Sequence, residues 1–312
     1  MKVFADRNGV PGHLVFITGL TRSGKTLLAP LVSALAGVEK VNVSYEFEYV
    51  AMANVVNQID DQIAKTVMRF IFETKRYEEY IGRNMNFRWG DWTSVWKSAH
   101  PFKYISRIFR TEGDLAFENL SDNNSIFSLL VHDAIWHSSL YFSAFPECRM
   151  LEMRRDPSEL IWSWHEKGYG GNFYENRRNA LLTLRYEGQL VPYYANGWEE
   201  EYLHLSEMDR VIKMVHLLLN LEAQKYHDLS ATRQSQIKTI VFDELATKPY
   251  KVINDVADFL SVDETKLRRS VFKREGVPRA IDLSERVKLQ QRIRRLASED
   301  GSKLLDELTD SD

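Results

Sequence analysis

The chain has 312 residues, of which 44% are hydrophobic and 27% charged, and its formal net charge is −3 at pH 7. This composition is typical of a soluble protein with a sizeable core, and the charge provides no global attraction for nucleic acid. Cys148 is the single cysteine, which excludes an intramolecular disulfide and a cysteine-based metal site and fits a reducing, cytoplasmic location.

The first predicted elements are a strand and a helix joined by a glycine loop. Residues 14–18 form a short apolar and β-branched run that ends at Gly19, which predicts a buried strand. Residues 26–36 then have the pattern of a helix, with Gly37 as its stop. No apolar run before this strand is long enough for a signal sequence or a membrane span, so we expect no membrane anchor.

The same order of elements occurs twice more along the chain. Residues 149–153 predict a strand followed by a helix, and residues 237–242 predict another strand followed by an apolar helix at about 251–260. Three such units predict an α/β fold of P-loop type, with a central parallel β-sheet of about five strands flanked by helices. Ligands are then expected at the carboxyl ends of the strands.

Two segments of different character separate these units. Residues 54–115 are rich in aromatic and basic side chains, and residues 165–230 open with HEKGYGGNFYENRR and close with an amphipathic helix. We interpret both as helical insertions that cover a sheet edge and the substrate. Residues 284–312 predict a charged amphipathic C-terminal helix and tail. The whole chain, 1–312, is therefore expected to form one domain with insertions.

The loop after the first strand, GLTRSGKTLL at 19–28, matches the G-x-x-x-x-G-K-[ST] phosphate-binding pattern. Gly19, Gly24, Lys25 and Thr26 fill its fixed positions. Successive backbone N–H groups and a helix N-terminus create an anion site there, to which Lys25 adds a charge and Thr26 a hydroxyl.

A second motif, MRRDPSELIWSW at 153–164, begins the helix after the 149–153 strand. Asp156 as N-cap, Pro157 at the first helical position and Glu159 in a capping box explain D-P-S-E as a helix start with no further function. Helix capping does not explain Arg155 or Ser163. A guanidinium and a hydroxyl at this spacing could hold a second phosphate.

Together the two motifs resemble those of sulfotransferases that use 3'-phosphoadenosine 5'-phosphosulfate (PAPS). The run from Arg22 to Leu28 is similar to that family's 5'-phosphosulfate loop, except that Lys25 replaces the usual first threonine. Arg155-Asp156-Pro157 with Ser163 eight residues after the arginine resembles its 3'-phosphate motif. The residues that this resemblance assigns to the donor are Arg22, Ser23, Gly24, Lys25, Thr26, Leu27, Arg155 and Ser163.

The resemblance extends over most of the chain through weaker features. FPECRMLEMRRDP and VFDELATKPYKVINDVADFLSV are similar to stretches of that family. Residues 272–276 resemble its C-terminal basic loop, which would bring Lys273, Arg274 and Gly276 to the 3'-phosphate, although Glu275 interrupts the usual basic–glycine pair. The resemblance implies PAPS as co-substrate, adenosine 3',5'-bisphosphate (PAP) as product and no metal. The implied partner is a small-molecule, glycan or lipid acceptor, and homo-oligomerisation is left open.

Two other functions compete with sulfuryl transfer. The strand before Asp243 and Glu244 could be the Walker B element of a Mg²⁺-dependent P-loop kinase or NTPase, in which Lys25 would hold the β- and γ-phosphates. This alternative leaves Arg155 and Ser163 without a role. A nucleotide-binding protein without turnover is the third possibility. A requirement for Mg²⁺ would distinguish a kinase or NTPase from a sulfotransferase. Formation of a product would distinguish either enzyme from a binding protein.

Sulfuryl transfer also needs a general base and positive charge on the leaving group. Arg22 and Lys25 are expected to stabilise the leaving 5'-phosphate. The stretch SYEFEY offers Glu46 and Glu48, both on one side if the stretch is extended. The resemblance makes Glu46 the preferred base, because some members of that family place a catalytic glutamate about two dozen residues beyond the loop. The histidine candidates are His132, which lies 23 residues before Arg155, near where the cytosolic branch of the family carries its catalytic histidine, and His137.

Overall fold

The computed structural model describes residues 13–121, 124–171, 182–263 and 268–309. Within them a central sheet of five parallel strands has the order β2-β3-β1-β4-β7. The strands are β1 (Leu14–Thr18), β2 (Asn42–Val43), β3 (Phe127–Leu130), β4 (Arg149–Arg154), β5 (Thr183–Tyr186), β6 (Gln189–Pro192) and β7 (Ile237–Val241). Strands β5 and β6 form a separate antiparallel hairpin.

Helices flank the sheet and form most of the insertions. They are α1 (Lys25–Val32), α2 (Tyr45–Val55), α3 (Asp61–Tyr80), α4 (Pro101–Ile105), α5 (Asp114–Ser121), α6 (Ser138–Ala144), α7 (Pro157–Glu166), α8 (Glu199–His204), α9 (Glu207–Asp228), α10 (Ala231–Gln234), α11 (Phe242–Thr247), α12 (Pro249–Leu260), α13 (Arg268–Arg274), α14 (Leu283–Leu296) and α15 (Glu299–Thr309). Short 3-10 helices lie at Val95–Lys97, Ser106–Phe109 and Tyr193–Ala195. Among the described residues, none of these helices has both the length and the apolar character needed to cross a bilayer.

The core is layered on the two faces of the sheet because successive side chains of a strand point to opposite faces. Val15 and Ile17 of β1 pack with α1 and α12 on one face, whereas Phe16 packs with α3 and α6 on the other. All five side chains of β1 are buried. A continuous apolar run of this kind is what a central parallel strand requires. A third cluster joins α7, α9 and α15.

The structure confirms the predicted α/β class and the first strand, 14–18, to the residue. The strand predicted at 149–153 extends to Arg154, and the strand predicted at 237–242 ends at Val241, because Phe242 begins helix α11. The first helix ends at Val32, before the predicted stop at Gly37. Strand β3, which lies between β2 and β1, was not predicted from the sequence.

Two predictions about the insertions and the tail differ from the structure. The C-terminal segment is two helices, α14 and α15, rather than one, and the break lies at residues 297–298. The 165–230 segment contains the β5–β6 hairpin, whose turn residues Glu187 and Gly188 both have positive φ (46° and 82°), as a type I′ turn requires. The glycine-rich piece that opens this segment lies partly outside the described residues.

Candidate functional site

The loop between β1 and α1 has the backbone conformation that its glycines allow. Gly19 has φ 130° and Gly24 φ 106°, and the intervening Arg22 is also left-handed, with φ 71°. A Cβ on Gly19 would lie 2.3 Å from the carbonyl oxygen of Met153, so β4 approaches the loop too closely for any side chain. The loop therefore lies against the carboxyl end of the neighbouring strand, where ligands of open α/β sheets bind.

Helix α7 holds this loop through three contacts. Arg22 Nε donates to Ser163 Oγ at 2.9 Å, and Trp164 Nε1 donates to the carbonyl oxygen of Thr21 at 2.8 Å. Arg155, just before the helix, donates from Nη1 to the carbonyl oxygen of Arg22 at 3.1 Å. The two motifs identified in the sequence, 141 residues apart at Arg22 and Ser163, thus meet directly.

The Arg155 guanidinium is held from several sides. Its Nε donates to Glu159 Oε2 at 2.6 Å, and its plane lies over the Phe242 ring at 4.7 Å from the centroid. Asp156 caps α7 by accepting from the Glu159 backbone N–H at 3.1 Å, and Pro157 is the first helical residue, as the capping pattern predicted. The Glu159 side chain, however, binds Arg155 instead of returning to the N-cap. The first turn of α7 is therefore capped by Asp156 and also orients the guanidinium of Arg155 through Glu159.

Arg286 of α14 contributes to this arrangement, and the sequence analysis missed it. Its Nε donates to Glu159 Oε1 at 2.7 Å, and its Nη2 donates to Asp243 Oδ1 at 2.6 Å. These hydrogen bonds raise the pKa of Arg286 in spite of its burial. The only sequence signal is a basic residue on an amphipathic tail helix, where a solvated side chain is the usual outcome. Asp243, a candidate Mg²⁺ ligand in the NTPase alternative, is therefore already bound to a guanidinium.

Lys25, the first residue of α1, points into the protein. Its side chain is 3% exposed, and Nζ donates to the carbonyl oxygens of Gly19 and Leu20 at 2.5 and 2.7 Å. Burial lowers its pKa to about 8, although the nearby carboxylates of Asp133 and Glu48 act in the opposite direction. Thr26 is exposed on the same turn. The lysine can thus supply a positive charge near neutral pH, and it loses that charge in mildly alkaline solution.

The stretch SYEFEY is helical, which separates the two glutamates that an extended strand would align. Ser44 is the N-cap of α2, and Glu46 and Glu48 fall in its first turn, where carboxylates are favoured by the helix dipole. Two residues along an α-helix rotate a side chain by about 200°. Glu46 accordingly points outward and accepts from Lys75 at 2.9 Å, whereas Glu48 is 3% exposed and points inward.

Glu48 and His132 form a pair beside the loop. Glu48 Oε1 accepts from the backbone N–H of His132 at 2.9 Å and lies 2.8 Å from Nδ1 of the same residue. Because an ionised carboxylate accepts only, this contact places the proton of the neutral imidazole on Nδ1. Nε2 then carries a free lone pair. The His132 side chain is 20% exposed, so solvent or a ligand can reach the ring.

A buried acid follows His132 directly. Asp133 is 1% exposed, and its Oδ2 accepts from Tyr194 at 2.6 Å and from Tyr193 at 3.3 Å. Burial raises the pKa of Asp133. Its backbone N–H is 3.5 Å from the carbonyl oxygen of Gly19, so this acid is adjacent to the phosphate loop. Because Tyr193 and Tyr194 lie 60 and 61 residues after Asp133, no local sequence pattern predicts these hydrogen bonds.

His137 has a different environment from His132. It is 8% exposed and stacked on Trp136, with ring centroids 4.6 Å apart. Burial, with a contribution from the charge of Lys225, lowers the pKa of His137 to about 3. The imidazole is therefore neutral at physiological pH and buried against the Trp136 ring. Of the two histidines, the structure brings His132 close to the carboxylate Glu48.

The C-terminal basic residues lie at the end of α13. Lys273 is exposed, and Arg274 donates to Glu275 Oε1 at 2.8 Å and to the carbonyl oxygen of Lys97 at 2.6 Å. Gly276 has a left-handed backbone, with φ 68°. Arg279, which follows α13, places its guanidinium 5.5 Å from the centroid of the Phe242 ring. Glu275, which interrupts the basic–glycine pair, thus binds Arg274.

The structure therefore defines an α/β protein with a strand–glycine loop–helix unit at the carboxyl edge of a parallel sheet, contacted there by Arg155 and by Ser163 of the neighbouring helix α7. No protein-family model matches the sequence, and no curated protein is a significant match. Within the described residues, no group of three or more His, Cys, Asp or Glu side chains has the arrangement of a metal site.

In structure the chain is similar to solved sulfotransferases. The sulfotransferase domain of the Synechococcus PCC 7002 olefin synthase shares 11% identity over 99% of this chain and 91% of that chain, with a TM-score of 0.43. The sulfotransferase domain from the curacin biosynthetic pathway shares 11% identity (98% and 99% covered, TM-score 0.46), and a sulfotransferase from Alicyclobacillus acidocaldarius shares 15% (94% of each chain, TM-score 0.40).

Proposed function

We propose that this protein is a sulfotransferase that moves a sulfuryl group from PAPS to a hydroxyl or amine acceptor. The observation that carries the proposal is the contact of Arg22 with Ser163, together with that of Arg155 with the Arg22 carbonyl. A donor with phosphates at both its 5' and 3' positions needs two anion sites held at a fixed separation. The phosphate loop and the start of α7 supply two such sites and are joined to each other by these bonds.

The residues around the loop fit the two ends of the donor. Backbone N–H groups of residues 22–27 and the side chains of Arg22 and Thr26 would hold the 5'-phosphosulfate. Lys25, whose Nζ is bound to the carbonyl oxygens of Gly19 and Leu20, would add positive charge from beneath the loop. Arg155 and Ser163 would hold the 3'-phosphate, and Lys273, Arg274 and Gly276 would approach it from the C-terminal loop. Ser23 Oγ is buried and without a hydrogen-bond partner among the described residues, so it has free capacity to contact the donor.

The base in this proposal is His132, with Glu48 as the residue that orients it. Nε2 of His132 accepts the proton of the acceptor O–H or N–H as its oxygen or nitrogen attacks sulfur. The new bond to sulfur forms as the bond from sulfur to the 5'-phosphate oxygen breaks, and PAP leaves with that electron pair. Lys25 and Arg22 stabilise the charge on the departing phosphate. In-line geometry and electrostatic stabilisation then account for most of the rate, as in phosphoryl transfer.

The kinase or NTPase alternative uses the same loop with Mg²⁺. It needs the carboxylate of Asp243 or Glu244 at the metal, and Asp243 is bound by Arg286 at 2.6 Å. Residue 243 also lies in the first turn of α11 rather than at the end of the strand. Both observations favour the sulfuryl donor. The third possibility, a nucleotide-binding protein without turnover, differs only in the absence of product.

Calorimetric titration of the purified protein tests this proposal. PAP without metal, adenosine 5'-phosphate without metal, and ATP with Mg²⁺ are each titrated into the same preparation. We expect PAP to bind much more tightly than adenosine 5'-phosphate, because only PAP carries the 3'-phosphate, and ATP to bind weakly. Tight ATP binding that requires Mg²⁺, with no response to PAP, would establish the kinase alternative. Transfer of labelled sulfate from PAPS to a panel of alcohols, phenols and amines then separates an enzyme from a binding protein.

A further inference from the structure

Exposed aromatic side chains are concentrated in one part of the chain, outside the site described above. Seventeen large hydrophobic side chains are exposed among the described residues, and nine of them lie between residues 87 and 117. Six aromatic members of this group form what we call the aromatic patch: Phe87, Trp89, Trp92, Trp96, Phe102 and Phe109. Trp89, Phe102 and Phe109 are 75%, 80% and 82% exposed, which is unusual for side chains of this size.

The aromatic patch stands on a well-anchored base. Below it, Tyr104 is 2% exposed and accepts from the Lys40 backbone N–H at 2.6 Å. Arg107 is also 2% exposed and pairs with Glu39 at 2.7 Å. Phe102 and Tyr104 belong to the same helix, α4, with one directed outward and the other into the protein. The outward aromatic side chains are therefore presented by a segment whose inner side is packed and ion-paired.

Three of the patch side chains lie close together, and the elements that carry the others are in contact. The ring centroids of Phe87 and Trp96 are 6.0 Å apart, those of Trp89 and Trp96 are 6.2 Å apart, and Trp96 Nε1 donates to the Phe87 carbonyl oxygen at 3.2 Å. The 3-10 helix Val95–Lys97 contacts α4, which contacts the 3-10 helix Ser106–Phe109. The aromatic patch thus belongs to one continuous layer of chain rather than to scattered loops.

The same segment is rich in basic residues. Residues 83–110 contain six basic residues and one acidic residue. In the structure Arg83 pairs with Glu112, and Lys103 and Arg107 pair with Glu39, so the local positive charge rests on Arg88, Lys97 and Arg110. Arg88, Lys103 and Arg110 are exposed beside the aromatic side chains. Arg274, at the end of α13, donates to the carbonyl oxygen of Lys97 and so joins α13 to this segment.

We propose that the aromatic patch docks this protein reversibly on the surface of an anionic lipid bilayer. Tryptophan and phenylalanine insert at the boundary between headgroups and acyl chains, and lysine and arginine beside them bind anionic headgroups. A second copy of the chain is a poorer partner, because a two-fold interface would bring the same exposed basic side chains of both copies together. Nucleic acid is a poorer partner as well, because the exposed aliphatic side chains Ile108 and Leu115 suit hydrocarbon rather than base stacking.

Vesicle co-sedimentation of the full chain tests this proposal. We expect the protein to sediment with vesicles of phosphatidylcholine mixed with phosphatidylglycerol, and to do so more weakly with phosphatidylcholine alone or at high salt. A variant with Trp89→Ser, Phe102→Ser and Phe109→Ser should lose at least about tenfold in partitioning to both kinds of vesicle. The matched control is Leu283→Ser with Val287→Ser and Leu296→Ser, three exposed side chains of α14, which should bind like the unmodified chain.

A variant that lacks two positive charges measures the electrostatic contribution to vesicle binding. Arg88→Gln with Lys97→Gln should weaken binding to anionic vesicles by about fivefold for each charge and leave binding to phosphatidylcholine unchanged. Lys288→Gln with Lys303→Gln is the control for charge removed elsewhere. Quenching of tryptophan fluorescence by brominated lipid should occur in the unmodified chain and fall in a Trp89→Phe variant.

Three results would overturn the proposal. The first is the absence of sedimentation with anionic vesicles for a chain that is folded by circular dichroism. The second is equal binding by the aromatic triple variant and the unmodified chain. The third is a concentration-dependent dimer, or a complex with RNA, that forms in the unmodified chain and is lost in the triple variant while neither protein binds vesicles. That result would assign the surface to a second copy of the chain or to nucleic acid.

Discussion

Arg22 Nε donates to Ser163 Oγ across 2.9 Å, although the two residues are 141 positions apart. One side chain belongs to the loop between β1 and α1 and the other to the helix after β4. Together with the bonds of Trp164 to Thr21 and of Arg155 to Arg22, their contact fixes the loop against this helix. It connects the two elements to which we assign the phosphates of the donor, and substitution of either residue tests that assignment.

Arg155→Ala should weaken PAP much more than adenosine 5'-phosphate. A charge-assisted hydrogen bond contributes about 1.5–3 kcal/mol, which corresponds to about 10- to 100-fold in the affinity for PAP. Calorimetric titration with both nucleotides measures the difference. Arg154→Ala is the matched control, because that arginine pairs with Glu152 instead and should leave both affinities nearly unchanged. Equal losses for the two nucleotides would show that Arg155 supports the loop without contacting a 3'-phosphate.

The bond between Arg22 and Ser163 should be visible as non-additive effects on donor binding. Arg22→Gln and Ser163→Ala remove its two ends, so the double variant should lose less affinity for PAP than the two single variants predict together. A coupling of about 1 kcal/mol or more is expected for a hydrogen bond to a charged group. Titration of all four proteins with PAP completes the cycle. Strict additivity would mean that the contact does not persist when nucleotide binds.

The ion pairs of Arg286 should contribute to stability. Arg286→Leu leaves Glu159 and Asp243 without their shared cation, and removing one partner of a largely buried pair costs roughly 3 kcal/mol. Unfolding in urea, followed by circular dichroism, measures the loss. Arg294→Leu on the same helix is the control. Its ion pair with Asp306 is exposed on both sides, so its loss should cost no more than about 1 kcal/mol.

Much of this architecture could be predicted because its signals are local. Strand β1 is an unbroken apolar run, Gly19 and Gly24 mark the loop, and the cap at Asp156 marks the start of α7 within a few residues. Such features depend on neighbours in sequence, and the structure has them close to where they were predicted.

The parts that sequence could not supply depend on contacts between distant residues. The stretch SYEFEY alternates like a strand, yet Ser44 and the acidic first turn begin a helix there, which places Glu48 rather than Glu46 beside His132. Arg286 reaches Glu159 across 127 positions, and Tyr194 reaches Asp133 across 61. Pairings of this kind are set by how elements pack, and no periodicity along the chain reports them.

Turnover measurements can test whether His132, oriented by Glu48, is the general base instead of Glu46. His132→Ala should lower the turnover number by about 100-fold or more with little change in PAP affinity, since general base catalysis contributes about 10²- to 10⁴-fold. Glu48→Gln should give a smaller loss, because it removes the charge that orients the ring. Glu46→Gln is the matched control and should keep near-normal turnover, because that carboxylate binds Lys75 on the surface. A large loss in Glu46→Gln alone would return the base to Glu46.

The pH dependence of donor binding should reveal the buried lysine of the loop. Burial lowers the pKa of Lys25 to about 8, so the free protein loses this positive charge as the pH rises through 8. A phosphate binds the protonated form and raises that pKa, and the dissociation constant of PAP should therefore be flat below pH 8 and rise about tenfold per unit above it. Calorimetry from pH 6.5 to about 9.5 covers both regimes. Lys25→Arg should flatten the alkaline limb, because a guanidinium stays charged throughout, and an unchanged limb in that variant would assign the titration to another group.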